Sequence, residues 1–283
     1  MTSIGVIARL TFHEARRSRI LLAAILLSVI FLLIYGLGFN FIQEEITTEA
    51  RRGQGVGILE QSEIYNFLTM AGLYVVNFLA VMMTVLTSVG TLSGEIASGT
   101  IHSIAAKPLR RWQIVMGKWL GYVVMISLYV AFLGGGVLAI VFLLTDYSPP
   151  NPLIGISMIW LNAMVLLCLS LLGGSLLSTL TNGVLMFGLF GIAFVGGWIE
   201  QIGSFLENQT AISIGIITSL ILPSEALWKR AAFSMQSPLV SALGGFSPFS
   251  ANTVPSPLMV NYAVLFGVVA LGLATLAFSR RDL

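Results

Sequence analysis

Uncharged, predominantly apolar runs recur along the chain at residues 20–39, 67–92, 120–145, 154–180, 183–199 and 258–278, with shorter polar or basic segments between them. A helix rises about 1.5 Å per residue, so a run of about 20 residues crosses a hydrocarbon core of about 30 Å. Each run therefore predicts one transmembrane helix. Inside lipid every backbone N–H and C=O must find a partner within its own segment or in a closed barrel, and runs of this length satisfy that condition as helices. The pattern predicts an all-α membrane protein with six spans in a single transmembrane domain, residues 1–283.

The intervening segments carry their own periodicities. Over residues 1–19, Ile4, Ile7, Ala8, Thr11, Phe12 and Ala15 share one face of a helical wheel, and Arg9, His13, Arg16 and Arg17 share the other. This is the signature of a helix lying at a membrane interface. The run at 20–39 is followed by no small-residue cleavage site and is expected to be a retained span. The polar stretch after it holds Glu44, Glu45, Glu49, Glu60 and Glu63, and its Gly-rich centre at 53–57 is expected to be a flexible loop. Prolines at 149, 150 and 152 mark a short loop after the third span, and Thr181-Asn182-Gly183 predicts a tight turn that makes spans four and five an antiparallel hairpin. Residues 212–222 are apolar but too short to span, end at Pro223 and have Glu207, Glu225, Lys229 and Arg230 nearby. A run of that length predicts a re-entrant or interfacial element between spans five and six.

Composition agrees with the pattern: 57% of the 283 residues are hydrophobic and 9% are charged, which excludes a soluble core. The single cysteine, Cys168, cannot build a disulfide framework or a cysteine metal site within one chain. A net charge of +2 with no polybasic block gives no footprint for nucleic acid. The basic residues are distributed unequally. Placing both termini and the 93–119 segment in the cytoplasm puts ten of the fourteen Lys and Arg inside, against Glu14, Glu95 and Asp282. The positive-inside rule therefore predicts cytoplasmic N- and C-termini in a multi-pass protein of the plasma membrane.

The six runs contain no Asp, Glu, Lys, Arg or His. Ion-coupled transporters usually keep an ionisable residue near the bilayer centre to hold the coupling ion or proton. There is also no nucleotide-binding Gly-Lys-Ser/Thr: Gly117-Lys118 is followed by Trp119. No catalytic dyad, metal ligand set or cofactor site is readable, so an energy source for uphill transport would have to reside in another protein. Among the polar residues within the runs, Asn77 and Asn162 are the candidates for a transport pathway, because an unpaired amide in lipid is costly. The competing reading is that they pair between helices. Methionines such as Met82 and Met83, without Cys or His at ligand spacing, read as core filling.

One segment concentrates what charge there is near the membrane. It runs from Ser93-Gly94-Glu95 through Gly99-Thr100 to Lys107-Pro108-Leu109-Arg110-Arg111 and Lys118, between the second and third spans. Its charge predicts exposure to water, and Pro108 predicts a break into two short helices. The glutamate, the Gly-Thr pair, the Lys-Pro, the arginine and the Gly-Lys that opens the next span resemble the cytoplasmic loop of ABC-2-type transporter permeases. The basic amphipathic start, the span order and Phe278-Ser279-Arg280-Arg281-Asp282 are also similar to that family, so the resemblance covers nearly the whole chain. It implies that the 93–119 loop forms a coupling helix on a separate ATP-binding-cassette subunit, with Glu95, Gly99, Thr100, Pro108, Arg110 and Lys118 at the contact. It further implies a second permease copy, ATP and magnesium bound on the partner subunit, export as the direction, and short re-entrant helices capping the exit after the fifth span. The compact form resembles the permeases of nitrous-oxide reductase maturation. The alternative from another class is a membrane scaffold that recruits a complex without transporting anything, and an ordinary basic inside loop is the plainer reading of 93–119.

Overall fold

The computed structural model describes residues 3–52, 57–97, 110–237, 249 and 254–281. Within them the chain forms α1 (Ser3–Arg16), α2 (Arg19–Arg51), α3 (Ile58–Ser88), α4 (Ser93–Ala97), α5 (Arg111–Thr145), α6 (Pro152–Leu176), α7 (Thr179–Phe205), α8 (Gln209–Ile221), α9 (Ser224–Met235) and α10 (Leu258–Arg280). No strand occurs among the described residues. Six helices, α2, α3, α5, α6, α7 and α10, are long and apolar enough to cross a membrane, as the hydrophobic pattern predicts. The chain is an all-α, multi-pass membrane protein.

The helices are longer than the apolar runs that seed them. α2 continues from the first run through Glu44, Glu45 and Glu49 to Arg51, and α3 starts at Ile58, so most of the polar stretch after the first run is helix. Residues 53–56 of the expected flexible loop lie outside the described residues. The expected turn at 181–183 is also displaced. α6 ends at Leu176, Ser178 caps α7 by accepting the Thr181 N–H (3.4 Å), and Asn182 falls in the first turn of α7. The N-cap hydroxyl satisfies an otherwise orphan backbone donor, and the Asn-Gly turn signal loses to it because Asn182 finds partners in the core.

α3 and α6 pack together at the centre, with α5 against both. α2 lies outside α3 and α5, and α10 runs along α6. The gradient is steep: 61% of the most apolar stretch of α3 is buried against 11% of that of α2. α1 lies across the start of α5, where Gly117 and Gly121 leave room for it. A Cβ at Gly117 would come within 2.6 Å of Ile7, and one at Gly121 within 2.8 Å of Thr11. Glycines four apart sit on one helix face, which is what lets a second backbone approach there. Arg9, His13, Arg16 and Arg17 stay exposed on the other face of α1, as the helical wheel predicts.

Two left-handed residues shape the connection from α5 to α6: Asp146 (φ 54°) ends α5 and Asn151 (φ 45°) precedes Pro152 at the start of α6. Asp and Asn are the non-glycine residues that tolerate this conformation most readily. After α7 the chain doubles back as α8 along α7, then bends by 107° into α9, which packs against α6. The short apolar run at 212–222 is thus one arm of a bent helix pair. We call the end of the bundle that carries α1, α4 and the start of α7 the basal end, and the opposite end distal.

Candidate functional site

Five of the residues singled out above stand at the described edge of the 93–119 segment (Glu95, Arg110, Lys118) or within α3 and α6 (Asn77, Asn162), and Gly99, Thr100 and Pro108 lie outside the described residues. Lys118 and Glu95 form an ion pair. Their setting differs from the water exposure expected of the segment's charges. Lys118 lies in the second turn of α5, only 4% exposed, and the Glu95 side chain on α4 is 16% exposed. A buried charge is tolerable only with a partner, and stranding one member of such a pair costs about 3–5 kcal/mol. Arg110 is exposed at the start of α5, where its backbone N–H donates to Gln113 Oε1 (3.1 Å).

Around this pair the basal end is laced by polar contacts between helices. The Thr91 hydroxyl donates to the Tyr122 hydroxyl (2.7 Å), linking the turn after α3 to α5. Ser93 and Thr179 hydroxyls share a hydrogen bond (2.7 Å), linking α4 to the start of α7. The Ser88 and Ser170 hydroxyls lie 2.8 Å apart between α3 and α6. Asn182 is completely buried, and its amide donates to the carbonyls of Val89 (3.1 Å) and Ser170 (2.9 Å), so one side chain ties three helical segments. A Cβ at Gly173 would collide with the Asn182 amide, which gives that glycine its reason. Arg281 donates to the Ser175 carbonyl (2.8 Å), and Arg111 donates to the carbonyls of Ser279 (3.3 Å) and Arg281. These bonds fasten the end of α10 to α6 and α5.

Asn77 and Asn162 meet midway between α3 and α6: the Asn162 amide donates to Asn77 Oδ1 at 2.9 Å, and both residues are buried. Pairing of this kind is what interhelical amides do in membranes, at about 0.6 kcal/mol on average. Asn162 Oδ1 is buried with no hydrogen-bond partner, so the pair keeps one open acceptor.

The distal end holds charges that the pattern of runs did not bring together. Because α7 runs beyond the fifth apolar run, Glu200 lies on it, buried, and its Oε2 is 2.8 Å from Lys229 Nζ on α9. Glu225, one turn before Lys229, is 4% exposed. Burial pushes its carboxyl up to about 8; Lys229 draws it down and Glu200 adds to the rise. Glycines seat this cluster. A Cβ at Gly197 would come within 2.7 Å of Glu225 Cγ, one at Gly196 would collide with Thr218, and one at Gly215 would collide with Glu200. The signal for it in the sequence was the Gly196-Gly197 pair beside an acidic residue, opposite the charged flanks of 212–222. No group of three or more His, Cys, Asp or Glu positioned to hold a metal ion occurs among the described residues.

No curated protein shows significant similarity to the chain. Residues 6–283 match the profile of the family described as "ABC-2 family transporter protein", which takes in the six apolar helices, the segment between α3 and α5 and the bent pair before α10. The chain therefore belongs to the ABC-2 family of transporter proteins, as a membrane component of an ABC transporter.

Proposed function

We propose that the chain is the permease subunit of an ABC-2-type exporter, working as two permease copies driven by a separate ATPase that binds ATP and magnesium. The observation that best supports this is the construction at the root of the 93–119 segment. Glu95 near its start and Lys118 near its end are ion-paired, and Ser93, Thr91 and Asn182 tie the same root to α5, α6 and α7. A loop anchored this way can pass a push on its tip into four helices at once, whereas a loop that merely crosses water has no use for buried contacts at its base.

In this reading the basal end faces the cytoplasm of a cell whose plasma membrane the protein spans, with both termini inside. Charge supports it: Arg9, Arg16, Arg17, Arg19, Arg110 and Arg280 are exposed towards one end, while Glu44, Glu45, Glu49 and Glu60 are carried on the far end of the α2–α3 hairpin. The ATPase contact uses Arg110 together with the loop positions Gly99, Thr100 and Pro108, and the Glu95–Lys118 pair holds the loop in register. The bent pair α8–α9 is a re-entrant cap over the exit. No reaction is assigned to the chain itself.

The test is to co-express the chain with a candidate ATP-binding-cassette ATPase from the same genome, one encoded by an adjacent gene being the first choice, and purify the pair. Stimulated ATP turnover that falls when Arg110 is replaced by Ala supports the reading. A stable pair with unchanged ATP turnover in every loop variant would favour a scaffold that binds without transporting.

A further inference from the structure

We propose that Glu225 is a proton-binding site that locks the distal cap, holding α8–α9 on α7 while protonated and releasing them when the proton leaves. This rests on the reading of α8–α9 as an exit cap. The geometry comes first. Glu200, Glu225 and Lys229 are all buried, and Lys229 is engaged by Glu200 at 2.8 Å. Two carboxylates and one ammonium leave one negative charge too many for a site closed to water, and burying an uncompensated charge is far costlier than binding a proton. The acid that takes it is Glu225. Of the two, it is the one that Lys229 does not engage, and it is packed so closely on α7 that a Cβ at Gly197 would come within 2.7 Å of its Cγ.

Among the described residues, the surroundings of Glu225 supply no second cation. Glu200 faces it from α7, and Lys229 from its own helix. α3 brings the Tyr74 hydroxyl, whose ring packs edge-on against Trp228 at 4.9 Å. α10 brings Tyr262, which donates to the Leu220 carbonyl (2.5 Å) just before the bend. Arg230 donates to the Pro255 carbonyl (3.3 Å). α6 and α8 contain no Asp, Glu, Lys, Arg, His or Tyr. The cap is therefore neutral in its seat only with the proton in place. If the cap lifts, Glu225 meets water and returns to an ordinary carboxylate. The closed-state carboxyl sits at about 8, above the ordinary value of 4.5. Closure is thus fully favoured below the ordinary value and is weakened as pH rises through that window, by at most about tenfold per pH unit for one proton.

The full chain in lipid nanodiscs, with Cys168 replaced by Ala, carries the test. Ser219 lies buried on α8, so Ser219→Cys reports cap opening to a membrane-impermeant maleimide, with the rate divided by that of the exposed Glu207→Cys to remove the thiol's own pH dependence. The expected result is a normalised rate that climbs at least tenfold between about pH 6 and pH 8, and stays at its low value when Glu225→Gln supplies a permanently neutral side chain. A flat ratio in the parent, or a climb that survives Glu225→Gln, would overturn the proposal. Infrared difference spectra on the parent provide a second measurement that needs no cap variant: a protonated carboxyl band at about pH 6 that vanishes on raising the pH and is missing in Glu225→Gln supports it, and no such band refutes it. The cap reading fails separately, if in sealed vesicles Ser219→Cys is reached only from the side of the basal end.

Discussion

Glu95 on α4 and Lys118 on α5 are joined by an ion pair, so the described residues on the two sides of the 98–109 segment are held together at one point. Glu95→Ala would strand the buried Lys118 ammonium and is expected to cost about 3–5 kcal/mol of stability. Glu95→Ala with Lys118→Met removes both charges and is expected to recover most of that loss. Thermal unfolding of the two variants in detergent measures the recovery. In the proposed complex the double variant is expected to insert normally yet stimulate its ATPase less than the parent, which separates the role of the pair in folding from its role in coupling. Full stimulation in the double variant would remove the pair from the coupling path.

Asn182 offers a sharper test of the basal lacing, because its partners lie on three segments. Asn182→Ala deletes two hydrogen bonds and leaves the Val89 and Ser170 carbonyls without that donor, an expected loss of about 1–3 kcal/mol. Gly173→Ala is expected to lose a similar amount by overpacking, since its Cβ would strike the Asn182 amide. The combination should lose less than the sum, because the clash disappears with the amide. Additive losses in a double-mutant cycle would show that the two positions do not touch.

How far the sequence reached depended on which physical term dominated locally. The six spans were legible because lipid demands long uncharged helices, and that demand leaves no room for another pattern. The helix ends were not, since α2, α5 and α7 are extended past the apolar runs by caps and packing rather than by hydropathy. Lys118 was legible as a basic residue near the membrane, but its burial depended on Glu95, which is far away in sequence on the other stem of the loop. Glu200, Glu225 and Lys229 each look like flank residues on their own. Only the fold-back of α8 and the 107° bend bring them into one cluster. Asn182 looked like a turn residue because Asn-Gly usually is one, and the Ser178 cap and the core contacts overrode it.

Asn77 and Asn162 can be assigned to packing or to a pathway by a pair of leucines. If the amides only pair with each other, Asn77→Leu with Asn162→Leu is expected to leave stability within about 1 kcal/mol of the parent, since removing both partners of a hydrogen bond together is close to neutral. ATP turnover of the proposed complex would then also be unchanged. A stable double variant whose turnover no longer responds to transported substrate would instead place the open acceptor, Asn162 Oδ1, on the path.

Orientation is checked by cysteines in a Cys168→Ala background. Glu45→Cys lies on the distal extension of α2 and Ser148→Cys in the loop between α5 and α6. Both are expected to react with an impermeant thiol reagent on intact cells, whereas Ser103→Cys should react only after permeabilisation. Labelling of Ser103→Cys on intact cells would reverse the membrane orientation and with it the assignment of the 93–119 loop to the ATPase.

The last prediction concerns the cap itself. Gly215 faces Glu200 so closely that any side chain there must displace α8 from α7, and Ser219 is buried one turn further on. Gly215→Asp would add a third carboxylate to a cluster that already holds more acids than cations, so it combines steric and electrostatic loss. Gly215→Ala isolates the steric part, and Ser213→Asp, on an exposed position of the same helix, controls for charge alone. If α8–α9 cap the exit, Gly215→Asp and Ser219→Asp are expected to abolish substrate-dependent ATP turnover of the complex while membrane insertion and the yield of folded protein fall less than twofold. Ser213→Asp should leave both intact. A reporter fused after Leu222 decides the topology, because a re-entrant pair returns to the side it left and a full span does not. Reporter activity characteristic of the cytoplasm would make α8 part of a seventh crossing, and the charge variants would then fail at insertion rather than at turnover.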